Sequence, residues 1–257
     1  MDNARTLIYD GSFNGFLTAV FEAFEGKLTV ANIQKNSAYQ RGLFSEPETI
    51  FTQMDKAQRV WNGIQKKSHE AIKNIYFAYQ AESPGIEMLL YRYIRKLFTG
   101  HADAHLNQAD DIVLKVGQWA KMVGREKHRM EAFVRFQMTQ DGIYFATIEP
   151  DFNVLPLISK HFRHRYPAQQ WIIYDTKRNY GLFHDMETVE MIGLDLKGLQ
   201  GNSIHQSTIF TKEEHQYQKL WSNYFRSTNI RSRINKKLHT QHVPKRYWGY
   251  LSEKRAV

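Results

Sequence analysis

The spacing of apolar residues changes near Glu131, and this change constrains the fold more than any other feature. Before it, apolar residues recur three or four positions apart, as in residues 13–24, which is typical of amphipathic helices. After it, the side chains of residues 132–138 alternate with the period of a strand, Asp141-Gly142 is a turn signal and residues 143–148 predict the return strand, which together indicate a β-hairpin. Helices followed by strands predict an α+β protein.

The helical N-terminal half contains three further signals. Residues 7–9 predict a short strand ahead of the first helix. Ser45 and Glu48 have the spacing of a capping box, which predicts that another helix begins there. Ser83-Pro84 predicts the start of a later helix, because proline is favoured in a first helical turn.

The central region predicts a strand-strand-helix-strand-strand order. Residues 153–165 predict a helix with Pro156 in its first turn. Residues 171–175 and 180–184 predict a second hairpin, so we expect a central antiparallel sheet with helices on one face. We predict a single domain over 1–257, with sub-regions that are mainly helical (1–125), sheet-containing (126–202) and basic and helical (203–257).

Positive charge is concentrated at the C-terminal end. The chain carries 35 Lys and Arg against 26 Asp and Glu, a net charge of +9, and the last 32 residues alone contribute +8, from nine bases and one acid. A compact basic segment favours a polyanionic partner, most often nucleic acid. An acidic protein surface, an anionic membrane face and a solvated tail with no specific partner are the alternatives.

The predicted nucleic-acid-binding residues combine phosphate-binding cations with histidines and stackable aromatic rings. In the basic segment they are Arg231, Arg233, Lys236, Lys237, His239, His242, Lys245, Arg246, Tyr247 and Trp248. Lys177 and Arg178, in the turn of the second hairpin, extend the set if the two hairpins share one sheet.

Four residues are candidates for acid–base or metal chemistry. Asp10, before Gly11-Ser12, either binds a cation, accepts a proton or helps to cap a helix. Glu149 and Asp151 either share a proton, bind a metal through oxygen or complement a helix N-terminus. His161 is three positions before His164, where phosphate contact or complementarity to the helix dipole is favoured over metal binding.

The chain contains no cysteine. Disulfides, thiolate zinc sites, a cysteine nucleophile and a cysteine-ligated iron–sulfur cluster are therefore excluded within it. The sequence also lacks a Walker loop, a dinucleotide fingerprint and the H-E-x-x-H motif, so we expect no cofactor and no metal in this chain. No apolar run approaches the ~18 residues of a membrane span, and the N-terminus does not resemble a signal peptide. We expect a cytoplasmic protein.

Three long blocks resemble one bacterial family. They are LIYDGSFNGFLTAVFEAF at 7–24, the block from GREKHRMEAF to GLFHD at 124–185, and the block from YQKLWSNYFR to YWGYLSE at 217–253. The resemblance is to the DNA metabolism proteins that carry a domain of unknown function, number 4130. Members are typically encoded beside a radical-SAM protein for DNA repair or modification, and some are fused to a uracil-DNA glycosylase-like domain. The resemblance implies the stand-alone form without glycosylase activity.

The leading hypothesis is a DNA-binding accessory or substrate-presenting partner of a radical-SAM enzyme in DNA repair or modification. Radical-SAM chemistry needs a cysteine-ligated cluster, which would belong to the partner. One alternative is an enzyme that processes nucleic acid with Asp10, Glu149, Asp151 and His161. The other is a protein–protein adaptor whose basic end binds an acidic partner.

Overall fold

A computed structural model describes residues 4–38, 46–100, 107, 109–193, 211, 213–214, 216–217, 219–220, 240–251 and 254. The chain divides into two compact units, Met1–Arg125 and Glu126–Val257, with the boundary inside a long helix. Among the described residues, no helix is both long enough and apolar enough to cross a membrane.

Unit 1 consists of a small parallel sheet and a set of helices. Its elements are β1 (Arg5–Tyr9), α1 (Phe13–Glu25), β2 (Val30–Lys35), a 3₁₀ turn (Asn36–Ala38), β3 (Glu46–Thr49), α2 (Met54–Lys67), α3 (His69–Tyr79), α4 (Ile86–Thr99) and the first part of α5 (Asp111–Phe133). The predicted strand at 7–9 and the predicted helices at 13–24 and after Ser83-Pro84 are confirmed.

The strands of unit 1 pair in parallel in the order β2-β1-β3, and α1 is the crossover that makes β2 parallel to β1. The predicted capping box at Ser45 and Glu48 is wrong. Glu48 lies in β3 opposite Leu7, and its carboxylate forms an ion pair with Arg5 at 2.6 Å, whereas Ser45 lies outside the described residues. β3 is an edge strand, which is where a sheet tolerates Pro47.

Unit 2 contains a mixed sheet. Its elements are the end of α5, β4 (Gln137–Met138), β5 (Tyr144–Ile148), α6 (Leu155–Arg165), β6 (Trp171–Asp175), β7 (Tyr180–His184), β8 (Val189–Ile192) and a C-terminal 3₁₀ turn (Lys245–Tyr250). The α+β class, the helix with Pro156 in its first turn and the second hairpin are confirmed.

The sheet of unit 2 departs from the prediction in two respects. Its strands are ordered β4-β5-β6-β7-β8, and β5 pairs with β6 in parallel rather than antiparallel, because α6 is a crossover between them. The strand predicted from residue 132 is reduced to β4, because α5 continues to Phe133. Met130 is buried on the apolar face of α5, and a Lys127–Glu131 ion pair one turn apart supports its last turns.

Candidate nucleic-acid interface

The structure describes only part of the predicted nucleic-acid-binding set. His242, Lys245, Arg246, Tyr247, Trp248, Lys177 and Arg178 are described, all of them in unit 2. Arg231, Arg233, Lys236, Lys237 and His239, together with the basic helix predicted there, lie outside the described residues. The described candidates lie on or just before the C-terminal 3₁₀ turn and on the β6–β7 turn.

A buried carboxylate on α5 anchors the C-terminal 3₁₀ turn. The side chain of Glu126 is 1% exposed. Its Oε2 accepts hydrogen bonds from the Tyr247 hydroxyl at 2.5 Å and from Arg246 Nη2 at 3.1 Å. Its Oε1 accepts one from the backbone N–H of Asp151 at 3.0 Å. Glu126 therefore links α5, the β5–α6 loop and the end of the chain.

Sequence reasoning missed Glu126, although a signal for it exists. The buried positions of α5 include Val116, Ala120, Val123 and Met130, which recur at helical spacing. Glu126 falls on the same stripe, in a segment rich in charge. A charged residue on an apolar stripe is rarely buried without a partner, so its position predicts a buried polar contact.

Tyr247 is a core residue. It is 1% exposed, and its ring packs against Phe133 at a centroid distance of 5.4 Å. Burial, followed by the hydrogen bond to Glu126, raises the pKa of the Tyr247 hydroxyl above its ordinary value. In this conformation the ring has no open face on which a base can stack.

Arg246 is engaged in ion pairs. Its guanidinium contacts Glu126 and Asp151 and lies over the Tyr247 ring, 4.7 Å from the centroid. Two carboxylates therefore compensate its charge. Its side chain is 45% exposed, so one face still reaches solvent. Through these contacts Arg246 fixes the 3₁₀ turn to the β5–α6 loop.

Glu149 and Asp151 have separate partners. Glu149 Oε2 accepts a hydrogen bond from the Tyr250 hydroxyl at 2.7 Å, whereas the Asp151 carboxylate pairs with Arg246. Burial, followed by the contact with Glu149, raises the pKa of Tyr250. The two carboxylates thus hold two positions of the 3₁₀ turn.

The β6–β7 turn closes against the same loop. Asp175 is fully buried and pairs with Arg178 Nη1 at 2.9 Å. Arg178 also donates to the backbone carbonyls of Pro150 at 3.2 Å and Asp151 at 3.0 Å. Lys177 is exposed, and its Nζ donates to the Asp151 carbonyl at 3.2 Å. The two cations hold the loop, and Lys177 remains accessible to solvent.

The remaining described candidates lie at the surface. His242 and Lys245 are exposed. Trp248 is half-buried, and its indole N–H donates to the Val243 carbonyl at 3.0 Å. These side chains lie on the outer side of a turn whose inner side is Tyr247. The turn therefore presents cations outward from a fixed backbone.

His161 lies in a cavity of about 510 Å³ between α5 and α6. Its Nδ1 is 3.8 Å from Glu131 Oε1, and the Lys127 ammonium is 2.5 Å from the same carboxylate oxygen. Lys160, His164 and Arg165 also line the cavity. His161 is the candidate catalytic residue that lines this cavity, and its neighbours are mostly basic.

Asp10 supports a helix cap in unit 1. Ser12 is the N-cap of α1, and its hydroxyl accepts the backbone N–H of Gly15 at 2.9 Å, as the capping alternative predicts. The Asp10 carboxylate accepts hydrogen bonds from Ser12 and Thr52. Partial burial alone would raise the pKa of Asp10, but these bonds lower it below its ordinary value. The described residues hold no cluster of three or more His, Asp or Glu side chains suited to a metal ion.

Fold and site together define an α+β protein whose second unit carries a basic surface. Residues 84–253 match the family model of a domain of unknown function, DUF4130, and the chain belongs to this family. No curated protein and no solved structure matches the chain.

Proposed function

We propose that this protein binds nucleic acid and acts as a DNA-binding accessory subunit in DNA repair or modification. The observation that supports the proposal is the unequal charge of the two units. Unit 2 has 20 Lys and Arg against 13 Asp and Glu, a formal charge of +7, whereas unit 1 has 15 against 13, a charge of +2. Eight of the eleven histidines also lie in unit 2.

A positive surface of this kind suits a phosphate backbone. Each Lys or Arg that neutralises a phosphate releases a counterion, which makes binding favourable at low salt. Lys177 and Lys245 are exposed cations on turns that buried hydrogen bonds hold in place. A fixed turn loses little conformational entropy when its cations meet a ligand.

The proposed partner is a radical-SAM enzyme, as the family resemblance implies. The chain has no cysteine, so the cluster that such chemistry requires would be held by the partner. In this arrangement the present chain binds and presents DNA and contributes no cofactor. The proposal places it in the cytoplasm, where bacterial DNA is located.

The contacts of the candidate catalytic residues favour binding over catalysis. Asp10, Glu149 and Asp151 are each engaged in hydrogen bonds or ion pairs that fix a helix start or a turn. His161 lies 3.8 Å from the Glu131 carboxylate in a cavity that is otherwise lined mostly by basic side chains. We therefore propose that the protein binds nucleic acid, in preference to the alternative that it is a nucleic-acid-processing enzyme.

The test is fluorescence-polarisation binding of labelled single- and double-stranded DNA to the full chain over a salt series. We expect the logarithm of affinity to fall linearly with the logarithm of salt, by about 0.7 to 0.9 for each phosphate contact. Inorganic polyphosphate should compete. Absence of binding at low salt would contradict the proposal. Co-purification with the radical-SAM protein would then test the adaptor alternative.

A further inference from the structure

The cavity between α5 and α6 is a basic groove that the charge of the C-terminal segment does not explain. Six of its lining side chains are charged or titratable: Lys127, Glu131, Lys160, His161, His164 and Arg165. With both histidines neutral, they carry three positive charges against one negative. The groove lies on two regular helices, so its side chains have defined positions.

One acidic side chain, that of Glu131, lines the groove. The Glu131 carboxylate is 15% exposed. It is 2.5 Å from Lys127 Nζ, 3.8 Å from His161 Nδ1 and 4.0 Å from His128 Nδ1. One carboxylate thus stands among three nitrogen groups, which is the arrangement that a bound anion would adopt.

Within the part of the chain that the structure describes, no carboxylate forms an ion pair with Lys160 or Arg165. Lys160, His164 and Arg165 are exposed. The His164 Nδ1–H donates to the carbonyl of Lys160, one helical turn earlier, at 2.6 Å. This hydrogen bond fixes the orientation of the His164 ring. Arg165 lies beside the Tyr166 ring, 5.7 Å from its centroid, which limits its orientations.

The helix dipole accounts for only part of this arrangement. Cations in the last turn of a helix are favoured by its partial negative charge, which explains Arg163, His164 and Arg165. Lys160 precedes that turn, and Lys127 lies on a different helix. Lys127 pairs with Glu131 on its own helix, whereas Lys160 has no carboxylate partner among the described residues, and an anionic ligand would supply one.

We propose that the basic groove is a phosphate-binding site and that its ligand is a phosphate of the nucleic-acid backbone. Lys160 and Arg165 contact the phosphate oxygens directly, and Lys127 exchanges its Glu131 partner for the ligand. The proposal rests on the proposed function for the identity of the ligand. The groove begins one residue after Glu126, so the helix that anchors the C-terminal 3₁₀ turn also forms the groove wall.

The experiment compares DNA affinity and salt slope for three full-length variants. In the double variant Lys160→Gln/Arg165→Gln, we expect affinity to fall about tenfold and the salt slope to decrease by about two contacts. In Glu131→Gln, affinity should rise about threefold, because a negative charge beside the phosphate is removed. The matched control Lys115→Gln/Lys121→Gln removes two exposed cations of α5 in unit 1 and should change neither quantity.

A second measurement reads the groove itself. The ring signals of His161 and His164, assigned with His161→Gln and His164→Gln, are followed by NMR while inorganic phosphate is added. We expect both signals to shift in the wild type and to remain unchanged in the double variant. Circular dichroism confirms that each variant is folded, which is expected because Lys160 and Arg165 are exposed.

The outcomes separate the two proposals. If the wild type binds DNA and the double variant binds equally well, the groove proposal is overturned and the proposed function stands. If the wild type does not bind DNA, the proposed function fails. A shift of the histidine signals by inorganic phosphate would then reassign the groove to a small phosphate ligand, and no shift would reject it as a phosphate site.

Discussion

Each unit buries a glutamate beside a tyrosine hydroxyl, and the partners of the two glutamates differ. In unit 1, Tyr9 donates to Glu87 Oε1 at 3.1 Å. The Tyr79 hydroxyl lies 3.1 Å from that of Tyr9 and donates to the Gly11 carbonyl at 2.7 Å. The donors in this network are neutral phenols. It connects β1, α3 and α4 within the core.

In unit 2 the corresponding carboxylate, Glu126, binds a phenol and a cation. Tyr247 and Arg246 both come from the basic end of the chain. The network therefore attaches a charged segment to the α5 helix rather than joining elements of a closed core. A similar buried pair therefore stabilises a scaffold in unit 1 and holds a charged segment in unit 2. Four predictions test this difference.

The largest effect is expected from the core of unit 1. Phe16 is fully buried, and its ring packs against Tyr9 and Tyr79. Phe16→Ala should lower the stability of unit 1 by about 3 to 5 kcal/mol, because it removes apolar contacts and leaves a cavity. Hydrogen exchange of amides in β1 and α1 measures the loss. The control Phe24→Ala removes a ring that is 37% exposed and should cost about 1 kcal/mol, so equal losses would refute the account of this core.

The second prediction compares the two buried glutamates. Glu126→Gln should destabilise unit 2 by about 2 to 3 kcal/mol, because a charged partner of Arg246 is lost from a buried site. Glu87→Gln should cost about 1 kcal/mol, because an amide oxygen still accepts from Tyr9. Hydrogen exchange of residues 240–251 and of the Asp151 amide reports unit 2. A larger effect at Glu87 would reverse the comparison.

The third prediction concerns alkaline pH. Burial, then the neighbouring Tyr79 and Glu87, raises the pKa of Tyr9, and burial with Glu126 raises that of Tyr247. A tyrosine hydroxyl whose pKa is raised in the folded state stabilises the folded protein. This contribution is fully present below pH 10.0, the ordinary pKa of tyrosine. That contribution falls by about 1.4 kcal/mol per pH unit above this value for each tyrosine.

The pH effect can be assigned to each unit. Stability is measured by urea unfolding between pH 9 and about 11. Tyr9→Phe should reduce the loss of stability of unit 1 with rising pH, and Tyr247→Phe should reduce that of unit 2. Tyr93, whose pKa burial and Glu70 raise to about 12, contributes to the remaining slope in unit 1. Stability that increases above pH 10 would contradict the assignment of these hydroxyls.

The smallest effect is expected from a single surface cation. Lys245→Gln should weaken DNA binding about threefold and reduce the salt slope by about one contact. Lys115→Gln, an exposed lysine of α5 in unit 1, is the matched control and should leave both unchanged. Equal losses in the two variants would indicate that overall charge, and not the surface of unit 2, determines affinity.

Much of the fold could be predicted because its elements have regular periods. β1, α1 and the β6–β7 hairpin follow from spacing alone. The parallel pairing of β5 with β6 could not be predicted, because it depends on where in the sheet the chain re-enters after α6. Ser45 and Glu48 have the spacing of a capping box, so the sequence predicts a helix where β3 lies. The extended conformation of β3 depends on its pairing with β1.

The candidate site was predictable in composition and not in geometry. Lys245 and His242 are exposed, as a binding role requires. Tyr247 was placed among the contacting residues because a short 3₁₀ turn has too few residues to show which side is buried. Sequence reasoning missed Glu126 and Glu131 because both lie in a stretch rich in lysine and arginine, whose composition favours the cations as functional groups. Their roles depend on contacts between distant parts of the sequence.

Hydrogen exchange of the full chain, with and without single-stranded DNA, tests the central claim most directly, because it locates the bound surface in one of the two units. The account predicts that DNA slows exchange in residues 127–131, 157–165 and 240–251 of unit 2, with the amides of α1, α2 and α3 unchanged. Protection confined to unit 1, or DNA binding with no protection in these segments, would contradict it.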